Sequence, residues 1–168
     1  LCGDLLKIHP QIEILDGRLQ ATKKYRGNME KVAPIPQGKY VPATRFGSLI
    51  FTAGMTPRKN GVLILSGKVT AEQPLESYRD AVYQAASNAL IAAQNQLTAG
   101  EKIKQVLLLN VYVNAAPDFQ AHSKLADFAT EYLCTELGSA GFAARAALGL
   151  GSLPGEAPVE IQMICAVE

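Results

Sequence analysis

Residues 105–114 read QVLLLNVYVN, and the predicted fold is organised around this stretch. Apolar side chains occupy both of its faces, and β-branched and aromatic residues become frequent toward its end. A run of this kind is typical of a strand in the middle of a sheet, where both faces are covered. It is much shorter than the roughly 20 apolar residues of a membrane-spanning helix, so no span is predicted.

A helix is predicted on each side of this strand in the sequence. Apolar residues follow helical spacing over residues 75–97, with Pro74 near the first turn and Gly100 just past the end. A second helix is predicted after the strand, where Asp118 can cap its start and Gly138 can close it. Its apolar stripe consists of Leu125, Phe128, Ala129, Tyr132, Leu133 and Leu137.

Five further strands complete the predicted domain. Residues 39–57 contain two short strands around a turn at 47–48, and residues 62–69 contain a third. The last two strands are AARAALGL, residues 143–150, and VEIQMICAV, residues 159–167. The order β-β-β-α-β-α-β-β predicts an α+β sheet with both helices on one face. No element is left to cover the other face, so self-association is expected.

Composition predicts a single domain and excludes several classes of protein. The 168 residues are 48% hydrophobic, enough for one core, and we assign residues 34–168 to it and 1–33 to an N-terminal extension. The net charge of +1 disfavours a nucleic-acid partner. Three cysteines without a CxxC motif and two distant histidines predict neither a disulfide framework nor a metal site. Without a signal-peptide pattern, we expect a cytoplasmic protein.

One arginine and one glutamate stand out in the last two predicted strands. On a strand, Arg145 shares its face with Ala143, Ala147 and Gly149, so its guanidinium has small neighbours. A planar fork of donors beside a small hollow suits a carboxylate ligand. The alternative is a structural ion pair with Glu160. A simple hairpin puts Glu160 opposite Gly149 and roughly 13 Å along the strand from Arg145, which weakens this alternative.

Other residues carry weaker signals. Tyr40, close to Gly38, is either a strand-edge aromatic or part of a pocket. His122 is interpreted as a surface residue of the second helix. The segment GVLILSGKV lacks the spacing of a phosphate-binding loop, and no GxSxG motif is present.

Over residues 34–168 the sequence resembles the YjgF/RidA family, also described as endoribonuclease L-PSP-like. The resemblance rests on GKYVPATRFGSLIFTAGMTP, the following GKV, the helix from Leu75 and VLLLNVYVNAAPDF. Above all it rests on AR followed by LP and VEI, with Glu160 fifteen residues after Arg145. The run LGSAGFAAR is similar to the longer branch of the family. The resemblance implies a chorismate-mutase-like α+β fold, a homotrimer, and ligand sites between subunits.

The same resemblance implies hydrolysis of reactive enamine or imine intermediates to 2-keto acids and ammonia, with no cofactor. In this chain Arg145 would bind the substrate carboxylate, and Glu160 would order the attacking water or the imine nitrogen. Tyr40 would line the pocket, and Gly54 would bring its backbone close to the ligand.

The sequence departs from the deaminase pattern at three positions. Ala53 replaces the serine usual before the glycine, and Ala147 replaces a cysteine often found two residues after the arginine. The helix asparagine corresponds to Asp127 or, in another alignment, to Ser123. An anionic Asp127 near the cleft would repel a carboxylate.

Three functions follow as alternatives. The first is a 2-iminoacid deaminase, the second is a ribonuclease, and the third is a non-catalytic trimer that binds small carboxylates or partner proteins. The near-neutral charge disfavours the ribonuclease. Arg145 and Glu160 favour the deaminase over the non-catalytic trimer, whereas Ala53 and Asp127 favour the reverse.

Overall fold

The structure is a computed structural model that describes residues 12–15, 18–21 and 34–168. In the first part, β1 (Ile12–Leu15) and β2 (Arg18–Ala21) pair as an antiparallel hairpin. Most of the predicted N-terminal extension, with Cys2 and His9, lies outside the described residues.

Residues 34–168 form a mixed α+β domain in which two helices pack on one sheet. The strands are β3 (Ala43–Phe46), β4 (Leu49–Thr52), β5 (Arg58–Lys59), β6 (Val62–Leu63), β7 (Ile103–Asn114), β8 (Ala144–Leu150) and β9 (Val159–Val167). The helices are α1 (Arg79–Gln94) and α2 (His122–Leu137), and short 3₁₀ turns cover Leu75–Tyr78, Gly138–Gly141 and Pro154–Glu156. Five strands form the main sheet in the order β3-β4-β9-β7-β8, in which only the β7–β8 pair is parallel.

The central strand predicted at residues 105–114 is confirmed as β7, which lies between β9 and β8. Its Leu109, Val111 and Val113 are buried in the core that the sheet shares with α1 and α2. Side chains alternate along a strand, so the intervening residues project from the opposite, open face. That face exposes Phe51 and Leu148, as expected for a surface without a covering layer.

The helix predicted at residues 75–97 is confirmed, with a short 3₁₀ turn before α1. Its Ala85, Ala86 and Ala89 are completely buried. Because these side chains are small, α1 can lie close to the sheet and to α2, which makes the helical layer compact. No helix in the described part of the chain has the length and apolar character to cross a membrane.

The prediction of a third strand over residues 62–69 is wrong. Only Val62–Leu63 forms a strand, and it pairs with β5 in a separate hairpin. Positive φ angles of 82° at Gly61 and 106° at Gly67 turn the chain at both ends of the run. Beyond the second turn, Val69 makes one isolated parallel bridge to Ala115. The apolar run is therefore broken by glycine and stays outside the main sheet.

The prediction that Asp118 caps the second helix is also wrong. Helix α2 begins at His122, and Ala121 at its N-cap makes no side-chain capping bond. The Phe119 amide donates to the Ala116 carbonyl at 3.1 Å, so Asp118 lies inside a turn that ends before the helix begins. The predicted end is confirmed, because Gly138 closes α2 with a φ of 63°.

An ion pair ties the edge strand β3 to the connection between α1 and β7. Arg45 donates through Nη1 and Nη2 to the two carboxylate oxygens of Glu101, at 2.6 and 2.7 Å. The Arg45 Nη1 also donates to the Gln96 carbonyl at 3.2 Å. The hydrogen bonds from Arg45, together with those from Thr98, lower the pKa of Glu101 to about 2. Both carboxylate oxygens are used, so this pair has the geometry of a structural contact.

We expect Glu101→Gln to lower the melting temperature at pH 7, because the ionised carboxylate is the form that Arg45 holds. This stabilisation is complete above the ordinary carboxyl pKa of 4.5 and is lost as the pH falls toward 2. Thermal unfolding followed by circular dichroism between pH 2 and 7 should show two curves that converge at low pH. The exposed Glu72→Gln is the control, and equal melting temperatures for parent and Glu101→Gln at pH 7 would contradict the prediction.

Candidate functional site

Arg145 lies on the edge strand β8, on the face that the helices cover. Its Cα pairs with that of Leu109 in β7, a residue of the buried core. Ala147 and Gly149 follow on the same face, as the alternation of the strand requires. The predicted row of small residues beside the guanidinium is therefore present, and α2 lies over it.

Four hydrogen bonds to α2 hold the Arg145 guanidinium. Nη1 donates to Thr130 Oγ1 at 2.8 Å, and Nη2 donates to Asp127 Oδ1 at 2.8 Å. Nη2 also donates to the carbonyl and hydroxyl oxygens of Ser123, both at 3.2 Å. Ser123, Asp127 and Thr130 are four and three residues apart, a spacing that places them on one face of a helix. Both residues considered as replacements for the helix asparagine thus contact Arg145.

The alternative of an ion pair between Arg145 and Glu160 is wrong within one chain. Strand β7 separates β8 from β9, so the predicted hairpin between the last two strands does not form. Glu160 pairs with Tyr112 of β7 on the open face, whereas Arg145 projects from the helical face. The ionic partner of Arg145 is Asp127, which attracts the guanidinium instead of standing unpaired in the cleft.

Glu160 lies against Gly54, and only a glycine leaves room for it. A Cβ atom at position 54 would be 1.9 Å from Glu160 Oε1. Reciprocal hydrogen bonds of 2.7 and 2.9 Å between Met55 and Ile161 bring this segment beside β9. Ala53 is half-buried against the core and donates its amide to the Pro42 carbonyl. Burial raises the pKa of the half-buried Glu160 carboxyl.

Tyr40 precedes β3 and therefore is not a strand-edge residue. Its hydroxyl oxygen accepts a hydrogen bond from the Gln37 amide at 3.2 Å. It lines a cleft that is open to solvent, together with Gly54. The cleft also contains Arg58 and the buried Asn88, whose side-chain amide donates to the carbonyls of Thr56 and Arg58. Of the predicted residues, Tyr40 and Gly54 thus share one cavity.

Sequence reasoning missed the role of His122 in shaping the row beside Arg145. Its ring packs edge-on against Phe119 with centroids 5.0 Å apart. A Cβ atom at Gly149 would lie 2.4 Å from His122 Nε2, so this glycine makes room for the imidazole. The small residue at position 149 was the available signal, but it gives no indication of which side chain fills the space.

The predicted site residues form two groups in one chain. Arg145, Ala147 and Asp127 lie at the interface of β8 and α2, and Gly54 and Glu160 meet on the other face of the sheet. Within residues 34–168, three His, Cys, Asp or Glu side chains nowhere come together as a metal site. The arrangement offers a cation on one side of the sheet and a carboxyl group of raised pKa on the other.

We expect Glu160→Gln to raise the melting temperature at pH 7 by about 1–5 °C, because it removes a charge that burial disfavours. An acid whose pKa is raised by folding loses stability as the pH rises from the ordinary carboxyl pKa of 4.5 through its folded value. Parent and variant should therefore melt together at pH 4 and diverge at pH 7. The Glu101→Gln variant is the control, because its melting temperature at pH 7 should change in the opposite direction. A lower melting temperature for Glu160→Gln at pH 7 would contradict the prediction.

Comparison with known proteins identifies relatives over most of the chain. A family model described as Endoribonuclease L-PSP matches residues 30–167. Protein TCP17 of Trypanosoma cruzi is 26% identical over 152 residues, which are 90% of this chain and 95% of TCP17.

Solved structures share the same fold. The protein Atu1372 of Agrobacterium tumefaciens, described as having unknown function, is 33% identical with a TM-score of 0.71, over 81% of this chain and 86% of that chain. The YjgF gene product of E. coli is 23% identical with a TM-score of 0.57, over 81% of this chain and 94% of that chain. The resemblance inferred from the sequence is thereby confirmed, and the chain belongs to the endoribonuclease L-PSP family.

Proposed function

We propose that this protein hydrolyses 2-imino acids to 2-keto acids and ammonia at clefts between the subunits of a homotrimer. The observation that carries the proposal is the placement of Arg145 and Glu160. Arg145 lies on the edge strand, whereas Glu160 lies on the open face against Gly54. A second subunit on the open face would bring its own edge strand toward Glu160, so the cation and the carboxyl group would come from different chains.

The open face has the character of an interface between subunits. Phe51 and Leu148 are 39% and 47% exposed there, although both are large and apolar. Beside them the Tyr112 hydroxyl donates to Gln162 Oε1 at 3.3 Å, which adds a polar contact to the same surface. Covering such a face with another copy removes apolar area from water at roughly 25 cal/mol per Å². A closed ring of identical subunits would cover every copy in the same way.

The chemistry requires little more than positioning of a water molecule and complementary charge. Water adds to the carbon of the C=N bond, and the C–N bond then breaks as the C=O bond forms and ammonia leaves. The Glu160 carboxylate would accept a hydrogen bond from the water and take up its proton. The raised pKa of Glu160 suits a group that returns the proton to the departing nitrogen.

Arg145 would bind the carboxylate of the substrate. Hydrogen bonds within residues 34–168 use one hydrogen on Nη1 and both on Nη2, leaving Nε–H and the second Nη1 hydrogen for a ligand. Tyr40 would line the cleft that also contains Gly54, the residue against which the Glu160 carboxyl lies. Ala147 would leave space for the substrate next to the guanidinium.

The second candidate is a non-catalytic trimer that binds small carboxylates. The Asp127 contact favours it, because a guanidinium already paired with a carboxylate attracts a ligand less strongly. The family description names an endoribonuclease, but the net charge of +1 does not favour a nucleic-acid substrate.

The buried free thiols of Cys134 and Cys165 agree with our assignment of the protein to the reducing cytoplasm.

We expect the protein to scatter light as a trimer at micromolar concentration, with a mass of three times 17.9 kDa. Leu148→Asp should yield monomers, because it places a charge on the apolar open face. Val62→Asp is the matched control, since Val62 is 68% exposed on the separate β5–β6 hairpin. A monomer mass for the parent protein would contradict both the trimer and the intersubunit site.

We expect Arg145→Ala to reduce kcat/KM for 2-iminopropanoate generated in situ by about 30- to 1000-fold. A charge-assisted contact in a cleft supplies on the order of 2–4 kcal/mol. Arg145→Lys should rescue it poorly, because Lys lacks the five donors with which Arg145 can serve both α2 and a ligand. Arg45→Ala is the control, since it removes a structural guanidinium and should lower stability while leaving activity per folded molecule unchanged. An Arg145→Ala variant that melts early but keeps full activity per folded molecule would assign Arg145 to the fold.

A further inference from the structure

The geometry points to Asp127 as a specificity-determining residue that selects 2-imino acids with a positively charged side chain. This inference rests on the proposed function and names the substrate class of the same site. Its basis is the contact in which Asp127 Oδ1 accepts from Arg145 Nη2 at 2.8 Å. A ligand whose carboxylate binds Arg145 must therefore lie close to a second, fixed carboxylate.

The charges at this site sum to zero before any ligand binds. Arg145 contributes one positive charge, Asp127 contributes one negative charge, and the other two partners, Ser123 and Thr130, are neutral. A substrate with only a carboxylate gains the attraction of Arg145 and suffers the repulsion of Asp127. A substrate that also carries a cation converts this repulsion into a second attraction. The ligand that complements the site thus has a negative and a positive group.

The Asp127 contact differs from the structural ion pair elsewhere in the domain. Arg45 and Glu101 use both carboxylate oxygens, and their side chains are 26% and 24% exposed. Asp127 uses one oxygen toward Arg145, and its side chain is 45% exposed where that of Arg145 is 20% exposed. Asp127 therefore lies on the solvent side of the guanidinium, and its second carboxylate oxygen is available to a cation that approaches from solvent.

The residues that follow Arg145 on its face of the strand are small. Ala147 is the next residue on that face and presents only a methyl group. His122 occupies the space above Gly149 farther along the strand and limits how far a ligand can extend.

The 2-imino acid of arginine is the appropriate probe, because its guanidinium is always charged and is not nucleophilic enough to close onto the imine. Such imino acids form by two-electron oxidation of a basic amino acid at its Cα–N bond. A flavin-dependent amino-acid oxidase is the class of enzyme that supplies them. The same oxidase acting on leucine supplies a matched imino acid with an uncharged side chain.

The test generates both imino acids in situ with a trap for free imine and measures the competing hydrolysis. We expect kcat/KM for the arginine-derived imine to exceed that for the leucine-derived imine by about tenfold. Asp127→Asn should abolish this preference, so that the ratio of kcat/KM for the arginine-derived imine to kcat/KM for the leucine-derived imine falls from about ten to about one. Asp127→Ser provides a second variant should Asp127→Asn fail to fold, and Glu136→Gln is the control on the same helix.

A binding measurement separates failure of this inference from failure of the proposed function. Calorimetry with the stable products, 5-guanidino-2-oxopentanoate and 4-methyl-2-oxopentanoate, should show tighter binding of the first by parent protein and no preference in the Asp127 variants. Hydrolysis of both imines without preference would overturn the role of Asp127 and leave the deaminase standing. Selective binding without hydrolysis of either would overturn the deaminase and support Asp127 as the selecting residue. No preference in either measurement, with no hydrolysis, would overturn both.

Discussion

The alternation of side chains along β7, β8 and β9 is the constraint on which the site depends. Leu109 of β7 is paired with Arg145 on the helical face, and Tyr112 is paired with Glu160 on the open face. Tyr112 lies three positions after Leu109, an odd offset, so Arg145 and Glu160 must point in opposite directions. A shift of one residue in either pairing would bury Glu160 under the helices or expose Arg145. The register of the central strand therefore decides that one chain cannot bring the two groups together.

Two ion pairs show how the same chemistry serves two purposes in one domain. Arg45 and Glu101 use both carboxylate oxygens, so their contact is complete and holds the edge strand β3 to the connection between α1 and β7. Arg145 and Asp127 share a single oxygen contact, and the remaining guanidinium bonds go to neutral groups of α2. The Arg145–Asp127 pair therefore positions two charges at the edge of the sheet, while the second carboxylate oxygen of Asp127 makes no bond to Arg145. An oxygen that the pair does not use can accept a hydrogen bond from a ligand, and this distinguishes a candidate site from a structural contact.

The sequence predicted the elements well because their signals are local. Helical spacing identified α1, the doubly apolar run identified β7, and glycine at position 138 identified the end of α2. The order of the strands was predicted less well, because pairing of β9 with β7 and not with β8 depends on contacts between distant segments. The same limit explains why Glu160 was the only ionic partner that the sequence analysis considered for Arg145. Its true partner, Asp127, is placed by the docking of α2 on β8, which no local pattern records.

The reason for each small residue near the candidate site becomes clear only from the side chain that packs against it in the fold. Gly54 is small because the Glu160 carboxyl occupies its side, and Gly149 is small because the His122 imidazole does. Ala147 lies between Arg145 and Gly149 on the same face and remains half-buried. The His122 imidazole fills the space at Gly149, and Ala147 adds only a methyl group next to Arg145. The small residues of this row thus acquire their roles from α2, whose His122 lies against Gly149 and whose Asp127 holds Arg145.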